Sequence, residues 1–475
     1  MDLEDLLSQK TQAYIDLAGT LGSIVAELLD FSNNLAEQIQ VNGELNSLAS
    51  FGLDCLRRAK YEASSELFLE ALKSDPTSYI CHYGLAISYS GLERYDLALR
   101  AINEALLLNV HMNGKLNIQK VNELAAFVNN RTDPKDPKVS GGYREAFSEE
   151  MIEKMPQMLE YERHSKSGSI WMPYVNILHG INYTSSVLNA DGYGFRYTIT
   201  DDNRTLKVVD FAGESYCAVY GNSTGFGVGA TKDTKTITSN LSTITGLDWL
   251  NFSQRAYVLG MNLITALTLR PIRSRCDTIV LFTGTNELVS NLIQPLVMYD
   301  FDNFFHQSLF FKSFNGLLDG WPSDKFDKIL QTQDPLAVNL EDVCKRVETT
   351  FLSSLLNWSY LAKGCRAKIH FVLQPNGAWV SNRRLSYEEK TIFRNLDRWP
   401  QNVFAPAKDN FRALYDWYRD MLERTCKRCG ISFHNAHQYL DDPIYDDKWL
   451  FVDRAHLTDE GYFLVSEYIA GSVER

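Results

Sequence analysis

From residue 213 onward the chain alternates short apolar stretches with amphipathic ones, and that alternation leaves few folds open. Runs rich in β-branched and aromatic residues, Ser215–Tyr220, Asp248–Phe252, Asp277–Phe282, Lys368–Leu373 and Ile431–His434, predict five strands. Segments of helical period follow most of them: Val258–Leu269, Leu340–Ala362, Asn410–Arg428 and Asp459–Ser472. Alternation of this kind implies an α/β fold, a parallel sheet with helices on both faces. Ligands in such folds bind beyond the carboxyl ends of the strands. Side chains just past those ends are therefore the first candidates for chemistry.

The first strand runs directly into Tyr220-Gly221-Asn222-Ser223-Thr224-Gly225-Phe226-Gly227. A serine held at a strand end among glycines is placed to act as a nucleophile, because glycine lets neighbouring backbone approach closely. The octapeptide alone reads equally as a plain Ser/Gly turn. A second stretch, Phe451-Val452-Asp453-Arg454-Ala455-His456-Leu457-Thr458, changes its meaning. Asp453 and His456 stand three apart, just before Thr458, which reads as the N-cap of a final helix. In such a turn a carboxylate can hold one imidazole nitrogen while the other faces a serine, which is what general-base activation needs.

These two stretches resemble the first and last motif blocks of the SGNH, or GDSL-type, hydrolases. Two intermediate blocks stand between them in the family's order. Asn251-Phe252-Ser253-Gln254-Arg255-Ala256 is similar to the second block, Asn-x-Gly-x-x-Gly, and Gly284-Thr285-Asn286-Glu287 to the third, Gly-x-Asn-Asp. Asn189 to Tyr197 resembles the lead-in found ahead of the serine block. The resemblance covers about residues 190–475 and implies a flavodoxin-like sheet domain. It further implies acyl transfer with Ser223 as nucleophile, His456 as base and Asp453 orienting it. The implied oxyanion donors are the N–H of Ser223, the N–H of Ala256 and the side-chain amide of Asn286. No cofactor or metal is implied. Three departures from the pattern matter: Asn222 and Glu287 replace aspartates, and Ala256 replaces a glycine whose N–H it reproduces only if positive φ is not required.

Gly221-Asn222-Ser223-Thr224-Gly225 also matches the nucleophile elbow of α/β-hydrolases. An elbow strand is preceded by several other strands and followed at once by a helix, and the sequence predicts neither. A phosphate cradle would need a Gly-Lys-Ser/Thr ending, which is missing. A binding or regulatory protein that keeps the fold without the activity is the alternative from another class.

Residues 1–130 follow another rule. Tyr61, Phe68, Ala71 and Pro76, with Gly52 before them, sit at repeat spacing, and 34 residues on Ala86, Tyr89, Tyr95, Ala98 and Ala105 occupy the same frame, Tyr61 to Tyr95 being the full period. The pattern resembles two tetratricopeptide repeats between flanking helices, which implies a protein partner or self-association. Residues 131–212 read as linker and lead-in, with a short helix from Ser148 to Glu162, and residues 213–475 as the hydrolase-like domain. An aromatic insertion spans about 289–339, from Met298 to Trp321, and a second irregular segment runs from Asn376 to Asp409.

Charge narrows the partners. The net charge is −12, and residues 1–130 hold 17 acids against 9 bases. Such a surface repels nucleic-acid phosphates. An acidic start and the lack of any apolar run of membrane-spanning length predict a cytoplasmic protein, and the SGNH resemblance implies a bacterial one acting on an acyl substrate. Cys426 and Cys429 have metal or redox spacing but no second pair. His434 and His437 lack a third ligand nearby, so both pairs read as packing residues.

Overall fold

The computed structural model describes residues 28–33, 35, 47–111, 116–129, 146–166, 169–172, 176–271, 273–293, 339–399 and 407–473. Contacts divide the chain into two compact units, Met1–Val139 with Lys166–Ile170, and Ser140–Ser165 with Trp171–Arg475.

The first unit contains five described helices of ten residues or more: α1 Ser47–Arg57, α2 Tyr61–Ser74, α3 Tyr79–Gly91, α4 Tyr95–His111 and α5 Ile118–Asn129. Each packs on the next. The turns before Tyr61 and Tyr95 each contain a residue with positive φ, Ala59 (54°) and Glu93 (57°), so the backbone recurs with the same 34-residue step. Phe68 explains Gly52, a small residue of the pattern, where an added Cβ would lie 3.2 Å from its ring. A Cβ on Gly84 would lie 2.4 Å from its ring, and α3 crosses α2 closely because nothing larger stands there.

The second unit is built on five parallel strands: β1 Ser215–Gly221, β2 Trp249–Asn251, β3 Arg275–Thr283, β4 Lys368–Leu373 and β5 Ser432–Asn435. They are ordered β2-β1-β3-β4-β5, the flavodoxin-like arrangement. Alternate residues feed two separate cores, as a strand's period of two requires. Tyr216, Ala218 and Tyr220 of β1 join Ile279, Leu281 and Phe371 under the helix α6 Leu340–Cys365. Cys217 and Val219 join Val280, Phe282 and Val372 on the other face. There they meet α7 Ile237–Thr245 and α8 Asp459–Val473.

Several expectations are corrected. The helix expected over Asn410–Arg428 is two, Lys408–Ala413 and Tyr415–Cys429, joined at Leu414. The one expected from Ser148 to Glu162 is also two, Glu149–Lys154 and Gln157–Lys166, because Pro156 lies between them and cannot continue the first. The segment read as irregular from Asn376 contains α9, Tyr387–Arg398, with a complete capping box at Ser386 and Glu389. Helix α7 was not expected at all; its Ser/Thr-rich sequence has weak helical propensity and is held by its Thr236 cap and by packing. A helix, α10 Thr285–Ile293, enters the start of the aromatic insertion, and the insertion's residues 294–338 lie outside the described ones.

Glu389 does more than cap α9. Its carboxylate pairs with Arg383 through two hydrogen bonds of 2.8 and 2.9 Å, and both side chains are fully buried. It also accepts the N–H groups of Leu450 and Phe451, which lead into the Asp453 turn. Removing one partner of a buried pair strands the other charge. Glu389→Ala is therefore expected to cost about 3–5 kcal/mol of unfolding free energy in urea titration. A loss under about 1 kcal/mol would show that water replaces the carboxylate.

Candidate active site

The loops after β1, β3 and β4 and the turn before α8 meet through hydrogen bonds at the carboxyl edge of the sheet. Past β1 the chain makes a single helical turn, Ser223–Phe226, capped by Asn222, whose side chain accepts from the N–H of Thr224 at 3.0 Å. The turn is tight. A Cβ on Gly221 would lie 2.4 Å from the Phe282 carbonyl oxygen, and one on Gly225 2.5 Å from Ser253 Oγ. Glycine at those two positions lets the serine turn sit directly on β3 and on the loop after β2.

The structure brings Ser223, His456 and Asp453 together. Asp453 Oδ1 accepts the N–H groups of Ala455 (2.8 Å) and His456 (2.7 Å), and Oδ2 lies 2.6 Å from His456 Nδ1. A carboxylate only accepts, so Nδ1 carries the proton and Nε2 is the acceptor. Ser223 Oγ, 2.7 Å from Nε2, donates to it. Burial opposes ionisation of Asp453. The pull of the His456 ring when protonated, the hydrogen bond from that ring and the two N–H groups outweigh burial and hold the carboxyl at about 2.

Three donors face the question of the oxyanion. Among the described residues the N–H groups of Ser223 and Ala256 have no hydrogen-bond partner. Asn286, in the first turn of α10, donates from Nδ2 to the Tyr257 carbonyl at 2.9 Å, which leaves its second amide hydrogen uncommitted. Ala256 corrects an expectation: its φ is 61°, so it adopts the left-handed conformation that glycine tolerates best. It occupies the third position of the turn closed by Tyr257 N–H on Gln254 O, where positive φ is common.

Contrary to the expectation from sequence, a helical turn follows the strand at once, as it does in a nucleophile elbow. What separates this site from an elbow is that Ser223 has no positive φ and that its strand is the first of the sheet in the chain.

Sequence reasoning missed the residues that hold this turn. Arg196, fully buried, donates to the Gly227 carbonyl (2.7 Å) and to Asp233 (2.8 Å), and Tyr161 donates to the same Gly227 carbonyl at 2.8 Å. Gln374, the residue after β4, touches both Asn222 and Thr224. Only Arg196 had a signal, its place in the Asn189–Tyr197 lead-in. His434 and His437 lie apart from the site: His434 stacks on His370 across β4 and β5, and His437 packs between Trp379 and Tyr415. Cys426 and Cys429 lie in the last turn of Tyr415–Cys429 as buried free thiols, both raised by burial. Among the described residues no group of three His, Cys, Asp or Glu side chains is arranged to hold a metal ion, and no helix is long and apolar enough to cross a membrane.

No family model matches the chain, and no curated protein matches it. Solved structures do. A GDSL-like lipase from Bacteroides thetaiotaomicron is 14% identical, with 55% of this chain and 88% of that one covered at a TM-score of 0.29. A phospholipase A1 from Streptomyces albidoflavus is 13% identical over 54% and 99% of the two chains, also at 0.29. A carbohydrate acetylesterase from Sinorhizobium meliloti is 10% identical over 55% and 99%, at 0.30.

Glu287, beside Asn286, is buried and accepts from the Gly284 N–H (2.9 Å) and the Thr283 hydroxyl (2.9 Å). Burial raises its carboxyl to about 6, against 4.5 for the free group, although these donors pull it down. Between those values the folded chain binds the extra proton, so stability falls as pH rises from 4.5 to 6, by about 2 kcal/mol. In Glu287→Gln that contribution disappears, and the wild-type minus variant difference in urea midpoint should slope across this window. A difference independent of pH would show that Glu287 does not titrate there.

Proposed function

We propose that the second unit is an SGNH-type serine hydrolase that works through an acyl-enzyme on an ester or thioester. The single observation that carries this reading is the continuous hydrogen-bonded chain from Asp453 through His456 to Ser223, with links of 2.6 and 2.7 Å. A serine whose proton points at a neutral, carboxylate-oriented imidazole is an activated nucleophile.

In the mechanism that follows, Ser223 Oγ attacks the acyl carbon while its proton passes to His456 Nε2. The imidazolium is stabilised by Asp453, which stays ionised. The negative charge on the carbonyl oxygen is met by the N–H groups of Ser223 and Ala256 and by the free amide hydrogen of Asn286, donors in place before the reaction starts. Collapse of the tetrahedral species expels the alcohol or thiol, which takes the proton from Nε2. A water, or an acceptor hydroxyl or amine, then attacks the acyl-enzyme with His456 again as base. Water gives hydrolysis and the other acceptors give acyl transfer, by the same residues.

We assign the acidic helices of residues 1–130 to recruitment of a protein partner or a second copy of the chain, in a cytoplasmic setting. The 34-residue backbone recurrence and the exposed Phe51 and Leu69 on α1 and α2 support a repeat surface of that kind. Deletion of residues 1–140 should leave esterase activity and abolish any dimer seen by sedimentation. A folded but inactive truncation would place these helices in the acyl site instead.

Ser223→Ala should abolish p-nitrophenyl acetate hydrolysis and labelling by a fluorophosphonate, with an unchanged melting temperature. Asn286→Ala, which removes one donor, should lower kcat by about 10²–10³-fold at constant KM. A wild-type chain that takes no fluorophosphonate label would mark the site as a relic and the protein as a binding module.

A further inference from the structure

Beside the Ser223–His456–Asp453 chain runs a second chain of hydrogen bonds whose direction is dictated from one end. The Thr224 N–H is a donor, so the atom of Asn222 facing it must be Oδ1. Asn222 Nδ2 therefore points the other way, at Gln374, and Gln374 must meet it with Oε1. That leaves Gln374 Nε2 facing Thr224 Oγ1, to which it donates at 3.0 Å. The Thr224 hydroxyl has one proton, and with its oxygen already accepting, that proton goes to the Ala455 carbonyl at 3.0 Å. Asn222, Thr224 and Gln374 are all buried to within 1% of their surface, so water does not substitute for the links among them.

Ala455 is the residue before His456, inside the turn closed by the Asp453 carboxylate. We infer that Asn222, Gln374 and Thr224 form a one-way positioning relay that fixes the His456 turn against the Ser223 turn, and that it requires an amide rather than a carboxylate at 222. This rests on the reading of Ser223 and His456 as nucleophile and base. An aspartate at 222 has no proton to offer Gln374. Gln374 would turn its Nε2 toward the carboxylate and its Oε1 toward Thr224, whose hydroxyl would then donate to Gln374 and release Ala455. The aspartate that this position has in the SGNH pattern is thus incompatible with Gln374 and Thr224 as they stand.

The test is a double-mutant cycle on the full-length chain. Its readouts are kcat and KM for p-nitrophenyl acetate and the rate of fluorophosphonate labelling. Asn222→Asp and Thr224→Val should each lower kcat and the labelling rate by about tenfold with KM unchanged, and Thr224→Ser, which keeps the hydroxyl, should restore wild-type rates. In the Thr224→Val background Asn222→Asp should have no further effect on the rates, because the link through which it acts is already gone. Multiplying losses would show that a charge at 222 acts directly on the site and overturn the relay, as would wild-type rates in Asn222→Asp. Melting temperatures of all variants separate a lost relay from a lost fold; a variant that melts early yet follows the same rate cycle still supports it. If the wild-type chain does not label at all, the hydrolase reading fails and takes the relay with it. If the wild type labels and Asn222→Asp labels equally fast, the relay alone fails.

Discussion

The parallel pairing of β1 with β3 is the constraint on which the site depends. Gly221 stands opposite Phe282, and Thr283 of β3 opposite Leu373 of β4. The residues that follow, Asn222, Gly284 and Gln374, therefore emerge side by side at one edge of the sheet. A parallel sheet places all its carboxyl ends together, and the order β2-β1-β3-β4-β5 opens a crevice where the chain path reverses about β1. The contact is close enough that only glycine fits at 221 and 225. A side chain at either position would lift the serine turn off the strands beneath it.

The last turn before α8 has to reach this edge from the far end of the chain, and four separate groups hold it. Glu389 takes the N–H groups of Leu450 and Phe451 as the chain approaches. Thr224 takes the Ala455 carbonyl, and the Gly377 N–H takes the Arg454 carbonyl at 2.7 Å. Within the turn, Asp453 spends one oxygen on its own backbone and the other on the imidazole. A low carboxyl pKa, a fixed tautomer and a fixed ring orientation thus have one common cause, a buried acid that accepts two backbone N–H groups and the imidazole. The neutral Asn222 beside Ser223 fits the same design, since it adds a donor and an acceptor without a second negative charge.

Two carboxylates near the edge behave in the opposite way. Glu287 and Asp191 are buried with no cation at hydrogen-bonding distance among the described residues, and each is raised to about 6 despite the N–H groups it accepts. Asp191 gathers the N–H groups of Tyr193, Phe195, Val208 and Val209 and so shapes the segment ahead of β1. Arg196 does the equivalent for carbonyls, collecting those of Val187 and Gly227. Loops with little regular structure of their own are ordered here by single charged groups that saturate several backbone partners at once.

The sequence by itself determined the five strands and that they form a parallel sheet, because short apolar runs rich in β-branched and aromatic residues, separated by amphipathic stretches, admit few other solutions. It also determined which serine, histidine and aspartate to examine, since Asp453 and His456 are local to one turn and Ser223 ends a strand. The 34-residue step of the first unit was legible for the same reason: Phe68, Tyr61 and Tyr95 are short-range signals. Only the tertiary structure decided what depends on contacts between distant segments. It set the left-handed turn at Ala256, the meeting of Gln374 with Asn222 152 residues earlier, and the burial of Arg196 under the serine turn. It also decided α7, where the Thr236 cap and packing override weak propensity. A hydrogen bond across 150 residues leaves no periodicity in the chain that makes it; it exists only once the strands have brought its two ends to the same edge.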